Sequence, residues 1–304
     1  MSKSEGATER QSKNARRAEA REKARQLRDE QRKREKRKTL LLQGGILAGV
    51  IAVVAIIAVI ITTSAQPAGP GPRNMVSDGI TIGPDYVAVT TPPLADEATP
   101  PPLPENEAGV VALNIWVDYL CPACGAFEQA NAETLRALIE SGSATITFHP
   151  IAILSNQGAS QRAANAAACV ADRAPNSFFD FNELLLTSQP GDGTGWTDEQ
   201  LIDFADQVGA SSSGVAECIT SGEFDSWVTA ATNRALTGPL PLNGTDVPSV
   251  QGTPTVLVNG DLYQPADIAD PTEFQQFVLQ AAGEDFTLNP SPAPEEGEEA
   301  PADE

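Results

Sequence analysis

Val110-Val111-Ala112-Leu113-Asn114-Ile115-Trp116-Val117-Asp118-Tyr119-Leu120-Cys121-Pro122-Ala123-Cys124 decides the fold of this chain. Residues 110–117 form an apolar run of strand length. Downstream of Cys124, Phe127, Leu135, Leu138 and Ile139 recur at helical spacing, and Gly142 supplies a stop. Two thiols three residues apart therefore sit where a strand hands over to a helix, and they can close a disulfide there. In a first helical turn the unpaired N–H groups and the positive end of the dipole favour a thiolate, so Cys121 is expected to ionise more readily than a free cysteine. Pro122 fits that turn because its missing N–H is not needed at a helix start. The pattern reads as a redox site, with a purely structural disulfide or half of a zinc site as the alternatives. Zinc usually takes four Cys or His ligands, and the chain's four cysteines and one histidine contain no second CxxC.

Charge and hydropathy divide the 304 residues unevenly. Residues 40–61 are almost uninterrupted apolar positions, roughly 33 Å at about 1.5 Å per helical residue, enough to cross a bilayer. They are expected to form a transmembrane helix. Thr63-Ser64-Ala65 looks like a cleavage site, but the apolar core is longer and the charged lead more extended than in a usual signal peptide, which favours an uncleaved anchor. Residues 1–38 hold 15 Lys or Arg against 7 Asp or Glu, whereas everything after the span has five arginines, no lysine and 34 acids, within a net charge of −21. Cationic excess beside a span marks the cytoplasmic side. The expectation is a single-pass protein of the cell membrane, with a basic cytoplasmic N terminus at 1–38 and an extracytoplasmic catalytic domain. An acidic exterior argues against a nucleic-acid partner.

Residues 62–108 are rich in Pro, Ala, Thr and Gly and are expected to form a semi-stiff linker, with a short edge hairpin from 79–82 and 86–89. Residues 287–304, rich in Pro and Glu, are expected to be a disordered acidic tail. Between them a second strand is expected at 144–150, then helices at 160–173, 177–187, 197–208 and 213–236. Thr197 and Gln200 occupy capping-box positions. Residues 253–258 then read as a strand, Asn259-Gly260 as a hairpin turn, and 261–263 as its return. Asp270-Pro271-Thr272-Glu273 opens a last helix carrying Phe274, Phe277, Val278 and Ala281 on one face. The order is a βαβ unit, a helical block and a ββα unit.

With Asp118-Tyr119-Leu120-Cys121-Pro122-Ala123-Cys124, Phe127-Glu128, the segment 163–186, and Gly252-Thr253-Pro254-Thr255-Val256 running into Asn259-Gly260, the chain resembles the DsbA-like branch of the thioredoxin superfamily in its membrane-anchored, Gram-positive or actinobacterial form. The resemblance implies an α/β thioredoxin-like fold over 109–286, with a helical insertion at about 155–240. It implies Cys121 and Cys124 as the catalytic pair. It also implies a cis Thr253-Pro254 facing them, with the Thr253 backbone available to an extended substrate. On spacing alone Pro254 would be an ordinary trans proline at a strand's first residue.

Two departures stand out. Ile115 occupies the place where many thioredoxin-like proteins carry a buried acid, which leaves Asp118 and Glu128 as candidates for a proton relay, although each also suits a solvated surface. Pro122-Ala123 lacks the histidine that the namesake of the branch places between its cysteines. Cys169 and Cys218 fall in the helical block and read as a structural disulfide, with two unpaired core thiols as the alternative. His149, among apolar residues, reads as structural. No cofactor or metal is called for. The implied activity is thiol:disulfide exchange on exported proteins with cysteine thiols, in the direction of disulfide formation, with re-oxidation by a membrane redox partner. Disulfide reduction or isomerisation, or a redox-inert binding module of the same fold, are the alternatives.

Overall fold

The run quoted first becomes the central strand of a mixed α/β fold. The computed structural model describes residues 69–283 apart from 155 and 157. The expected basic segment, the span at 40–61 and the tail at 287–304 lie outside the described residues, among which no helix is long and apolar enough to cross a membrane.

The described strands are β1 (Ile80–Ile82), β2 (Val111–Val117), β3 (Ala144–Pro150), β4 (Thr255–Val258) and β5 (Asp261–Leu262), arranged as one sheet in the order β1-β3-β2-β4-β5. The helices are α1 (Pro122–Glu140), α2 (Ala159–Arg173), α3 (Phe178–Thr187), α4 (Asp198–Gln207), α5 (Ser213–Ser221), α6 (Asp225–Thr237) and α7 (Pro271–Ala282). β2 and β3 are parallel, joined through α1, and β4 runs antiparallel to β2, with Ile115 opposite Phe148 on one side and Val256 on the other.

Period-two alternation puts Val111, Leu113, Ile115 and Val117 of β2 in the main core, where Phe127 of α1 meets Phe274 of α7 edge to face at 5.2 Å. The opposite face carries Trp116 and Leu257, packed with Leu236, Leu240 and Val250. Asn259 and Gly260 both have positive φ, 51° and 91°, as a two-residue primed turn requires. Thr197 and Gln200 close a reciprocal capping box on α4, and Asp270 caps α7 by accepting the Thr272 N–H.

Two expectations are corrected. The single helix at 213–236 is two, because Gly222 turns left-handed (φ 63°, ψ 36°) and its N–H caps the end of α5. A side chain at 222 would meet the Asp225 carboxylate. The linker is also not free over its described part. Met75, Ile80 and Ile82 are fully buried, β1 pairs with the open edge of β3, and Ile82 bridges to Ala88, so the expected hairpin becomes an edge strand with a short return. Arg73 pairs with Asp172 of α2, and Arg234 of α6 holds Asp78 through two contacts of 2.6 and 2.7 Å.

Candidate active site

β2 ends at Val117, and the next three residues carry the chain from the sheet into α1. That turn is built on Asp118. Its Oδ1 accepts the Leu120 N–H at 3.0 Å and the Ser160 hydroxyl at 2.6 Å, while Oδ2 accepts the N–H groups of Ile153 and Leu154 at 2.9 and 3.1 Å. One fully buried carboxylate thus ties the approach to Cys121, the segment after β3 and the start of α2. Burial pushes its pKa up, and the four hydrogen bonds work against that rise. The solvated alternative for Asp118 is corrected: its donors come from residues 120 to 160, and they occupy the carboxylate that a relay would need to keep free.

Cys121 is the N-cap of α1, with extended backbone (φ −77°, ψ 117°), and Pro122 opens the helix. Cys121 is half-buried and Cys124, one turn inward, is 1 % exposed; both are free thiols. Thr253-Pro254 is cis and brings the Thr253 carbonyl oxygen to 3.2 Å from Cys121 Sγ, the thiol donating. The Thr253 hydroxyl is buried without a partner of its own and is placed to donate to an ionised sulfur. Cys121 is brought down to about 6, chiefly by a hydrogen bond from the Cys124 thiol, against burial, and with further help from Thr253 and from the N–H groups of Cys124 and Ala123. Burial pushes Cys124 well up, reinforced by its hydrogen bond to Cys121 and by the neighbouring charge.

Glu128, one turn beyond Cys124, is also buried rather than solvated, and its Oε1 has no hydrogen-bond partner. Burial, with repulsion from Glu183, raises it to about 8, and Arg136 opposes the rise. Glu128 is therefore a neutral acid at pH 7. Cys169 of α2 and Cys218 of α5 form a disulfide, both without exposure. His149 is fully buried, stacked on Trp116 at 4.2 Å with Nδ1 3.0 Å from the Asp78 carbonyl oxygen, and burial lowers it to about 4. It has no part in the sulfur site.

Three residues beside the site carry no sequence signal. Ser160 completes the Asp118 cluster. Gln189, two residues past the end of α3, donates from Nε2 to the carbonyl oxygens of Tyr119 and Cys121, each at 2.9 Å. A side chain at Gly125 would stand 2.6 Å from Gln189 Oε1. These contacts are tertiary, and no periodicity or motif announces them.

A family model described as thioredoxin matches residues 105–278. Among solved structures, reduced DsbA from Mycobacterium tuberculosis is 28 % identical, covering 68 % of this chain and 93 % of its own, with a TM-score of 0.50. Reduced DsbG from the same organism is 29 % identical, covering 71 % and 90 %, at a TM-score of 0.49. MdbA from Corynebacterium diphtheriae, at 18 % identity, covers 71 % and 97 % with a TM-score of 0.48. No curated protein matches. A sulfur pair split into one accessible and one buried thiol, facing a cis-proline, on a domain whose family match spans more than half of the chain, leads to one conclusion: the chain belongs to the thioredoxin family and is a DsbA-like thiol:disulfide oxidoreductase.

Proposed function

We propose that the protein forms disulfides in exported proteins. The observation that carries this reading is the difference between the two sulfurs: Cys121 is half-exposed and acidic, and Cys124 is buried with its pKa raised. Starting from the Cys121–Cys124 disulfide, a substrate thiolate attacks Cys121 Sγ, the S–S bond breaks, and Cys124 leaves and takes up a proton. A second substrate thiolate then attacks the substrate sulfur of the mixed disulfide. Cys121 leaves as a thiolate, so the substrate dithiol is oxidised and the enzyme pair reduced. A low pKa at Cys121 makes it a good leaving group and favours the reduced enzyme, which is the property of an oxidant.

The Thr253 carbonyl beside Cys121 offers an acceptor to the backbone of an extended substrate. Glu128, buried one turn beyond Cys124 with its pKa raised to about 8, is the candidate proton donor and acceptor for the pair, while the Asp118 carboxylate is engaged by four donors. The enzyme is anchored by a span at 40–61 with residues 1–38 inside, and a membrane redox partner re-oxidises it. The domain takes in the sheet from β1 through α7, and an acidic stretch at 287–304 follows it in the sequence.

The test is a glutathione redox titration, read by thiol alkylation and mass spectrometry, together with oxidation of a reduced, unfolded substrate. Net disulfide formation that is lost in Cys121→Ser supports the oxidase. Preferential repair of scrambled disulfides would reassign the enzyme to isomerisation or reduction, and function retained in Cys121→Ser would make it a redox-inert binding module.

A further inference from the structure

Gln189 holds the carbonyl oxygen of the first active-site cysteine. The Cys121 carbonyl oxygen closes the first turn of α1, accepting from the Cys124 N–H at 3.0 Å and the Gly125 N–H at 3.2 Å. The same Cys124 N–H, with that of Ala123, also supports the Cys121 sulfur. That N–H therefore bonds the Cys121 carbonyl oxygen and lies near enough to its sulfur to favour ionisation. Gln189 Nε2 supplies a third donor to that carbonyl at 2.9 Å, and it also holds the Tyr119 carbonyl at 2.9 Å, spanning the turn that presents Cys121.

The sequence makes room for this carboxamide. Gly125 is buried in the first turn of α1, and a Cβ there would lie 2.6 Å from Gln189 Oε1 and 3.0 Å from the Leu186 carbonyl oxygen. Helix interiors disfavour glycine by about 1 kcal/mol relative to alanine, so its presence calls for a reason of packing. The close approach of Gln189 and the end of α3 is that reason.

We propose that Gln189, seated over the bare backbone of Gly125, is a positioning residue for disulfide exchange, clamping the Tyr119 and Cys121 carbonyls so that the turn between them holds the Cys121 sulfur over the first-turn N–H groups. The proposal rests on the redox reading of the site and adds a residue to it. It acts through the backbone and touches neither sulfur. Without the carboxamide the Tyr119 and Cys121 carbonyls lose their shared donor, the turn that presents Cys121 loosens, and the sulfur is held less firmly over the first-turn N–H groups.

The test compares wild type with Gln189→Met, which keeps length and volume but has no donor. Thiolate absorbance is followed against pH in the reduced protein, the redox equilibrium is measured against glutathione, and thermal melting serves as the control for folding. The Cys121 midpoint is expected to rise by about half a unit to one unit. The dithiol–disulfide equilibrium constant should move about 3- to 10-fold toward the disulfide, because the thiolate-stabilised reduced form is the one that weakens. Gly125→Ala, which displaces the carboxamide, should give a shift of the same sign. In the Gln189→Met background it should add little.

A lower melting temperature with an unchanged Cys121 midpoint would reduce Gln189 to a loop anchor and overturn the proposal. A wild-type Cys121 that titrates like a free thiol would overturn the redox reading and this proposal together. The two failures are therefore distinguishable.

Discussion

The Ser160 hydroxyl donates to Asp118 Oδ1 across 2.6 Å, with both residues buried. This contact joins the first turn of α2 to the residue from which the active-site loop departs. Asp118→Ala would leave that hydroxyl and the N–H groups of Leu120, Ile153 and Leu154 without their acceptor. Denaturant unfolding should show a loss of about 3–5 kcal/mol, and Ser160→Ala a loss of about 1–2 kcal/mol.

Cys121 makes the reduced enzyme pH-sensitive in a defined direction. Its folded pKa, about 6, lies below the value of 9.0 for an unperturbed thiol. Between those values the unfolded chain binds the extra proton, so stability rises with pH across that window and is lost as pH falls through 6. The disulfide form has no such thiol, so the gap between the reduced and oxidised melting temperatures should shift in favour of the reduced form from pH 5 to pH 7.5. A gap constant over this range would contradict the assignment.

Glu128 has the opposite sign. Its folded pKa, about 8, lies above the usual 4.5, so the folded protein holds a proton that the unfolded chain releases. Its contribution is present below pH 4.5 and declines as pH rises toward 8. Glu128→Gln should leave stability nearly unchanged at pH 4 and raise it by about 2–4 kcal/mol at pH 9, as measured by chemical denaturation at the two pH values. If Glu128 carries the proton of Cys124, the same variant slows release of the mixed disulfide, which stopped-flow fluorescence would record.

The bond between Cys169 and Cys218 closes a loop with a sequence separation of 49. By the chain-entropy estimate it contributes roughly 4 kcal/mol. Cys169→Ala with Cys218→Ala should lower the unfolding free energy by about 2–4 kcal/mol and leave the Cys121 midpoint in place, since neither residue touches the sulfur site.

Asp78 and Arg234 fasten the N-terminal segment to α6 through two short contacts, with Asp78 buried. Arg234→Met strands the carboxylate and should cost about 3–5 kcal/mol. Hydrogen exchange should then accelerate across residues 74–82 before it does so in β2 or α1. Uniform acceleration would show that the segment and the sheet open together.

The sequence was most informative where structure is local. β2, α1, the Asn259-Gly260 turn and the α4 capping box follow from period, turn chemistry and caps that a few consecutive residues express. Thr253-Pro254 became readable only beside Cys121-Pro122-Ala123-Cys124, because the two meet in space and not along the chain. Asp118 stood out by its place next to the cysteines. Its burial did not, because the four donors lie as far away as Ser160. Gln189 and Gly125 gave no signal for the same reason. The described part of 62–108 does not announce its packing, because isolated anchors, Met75, Ile80 and Ile82 among them, are diluted by Pro and Gly until average composition resembles a spacer.

The covalent link between α2 and α5 has a consequence for biogenesis. A freshly synthesised copy carries four thiols, two of which belong to its own scaffold. Until Cys169 and Cys218 are joined, the helical block is held by packing alone, and an oxidant must take two electrons from the pair before α2 and α5 are covalently tied.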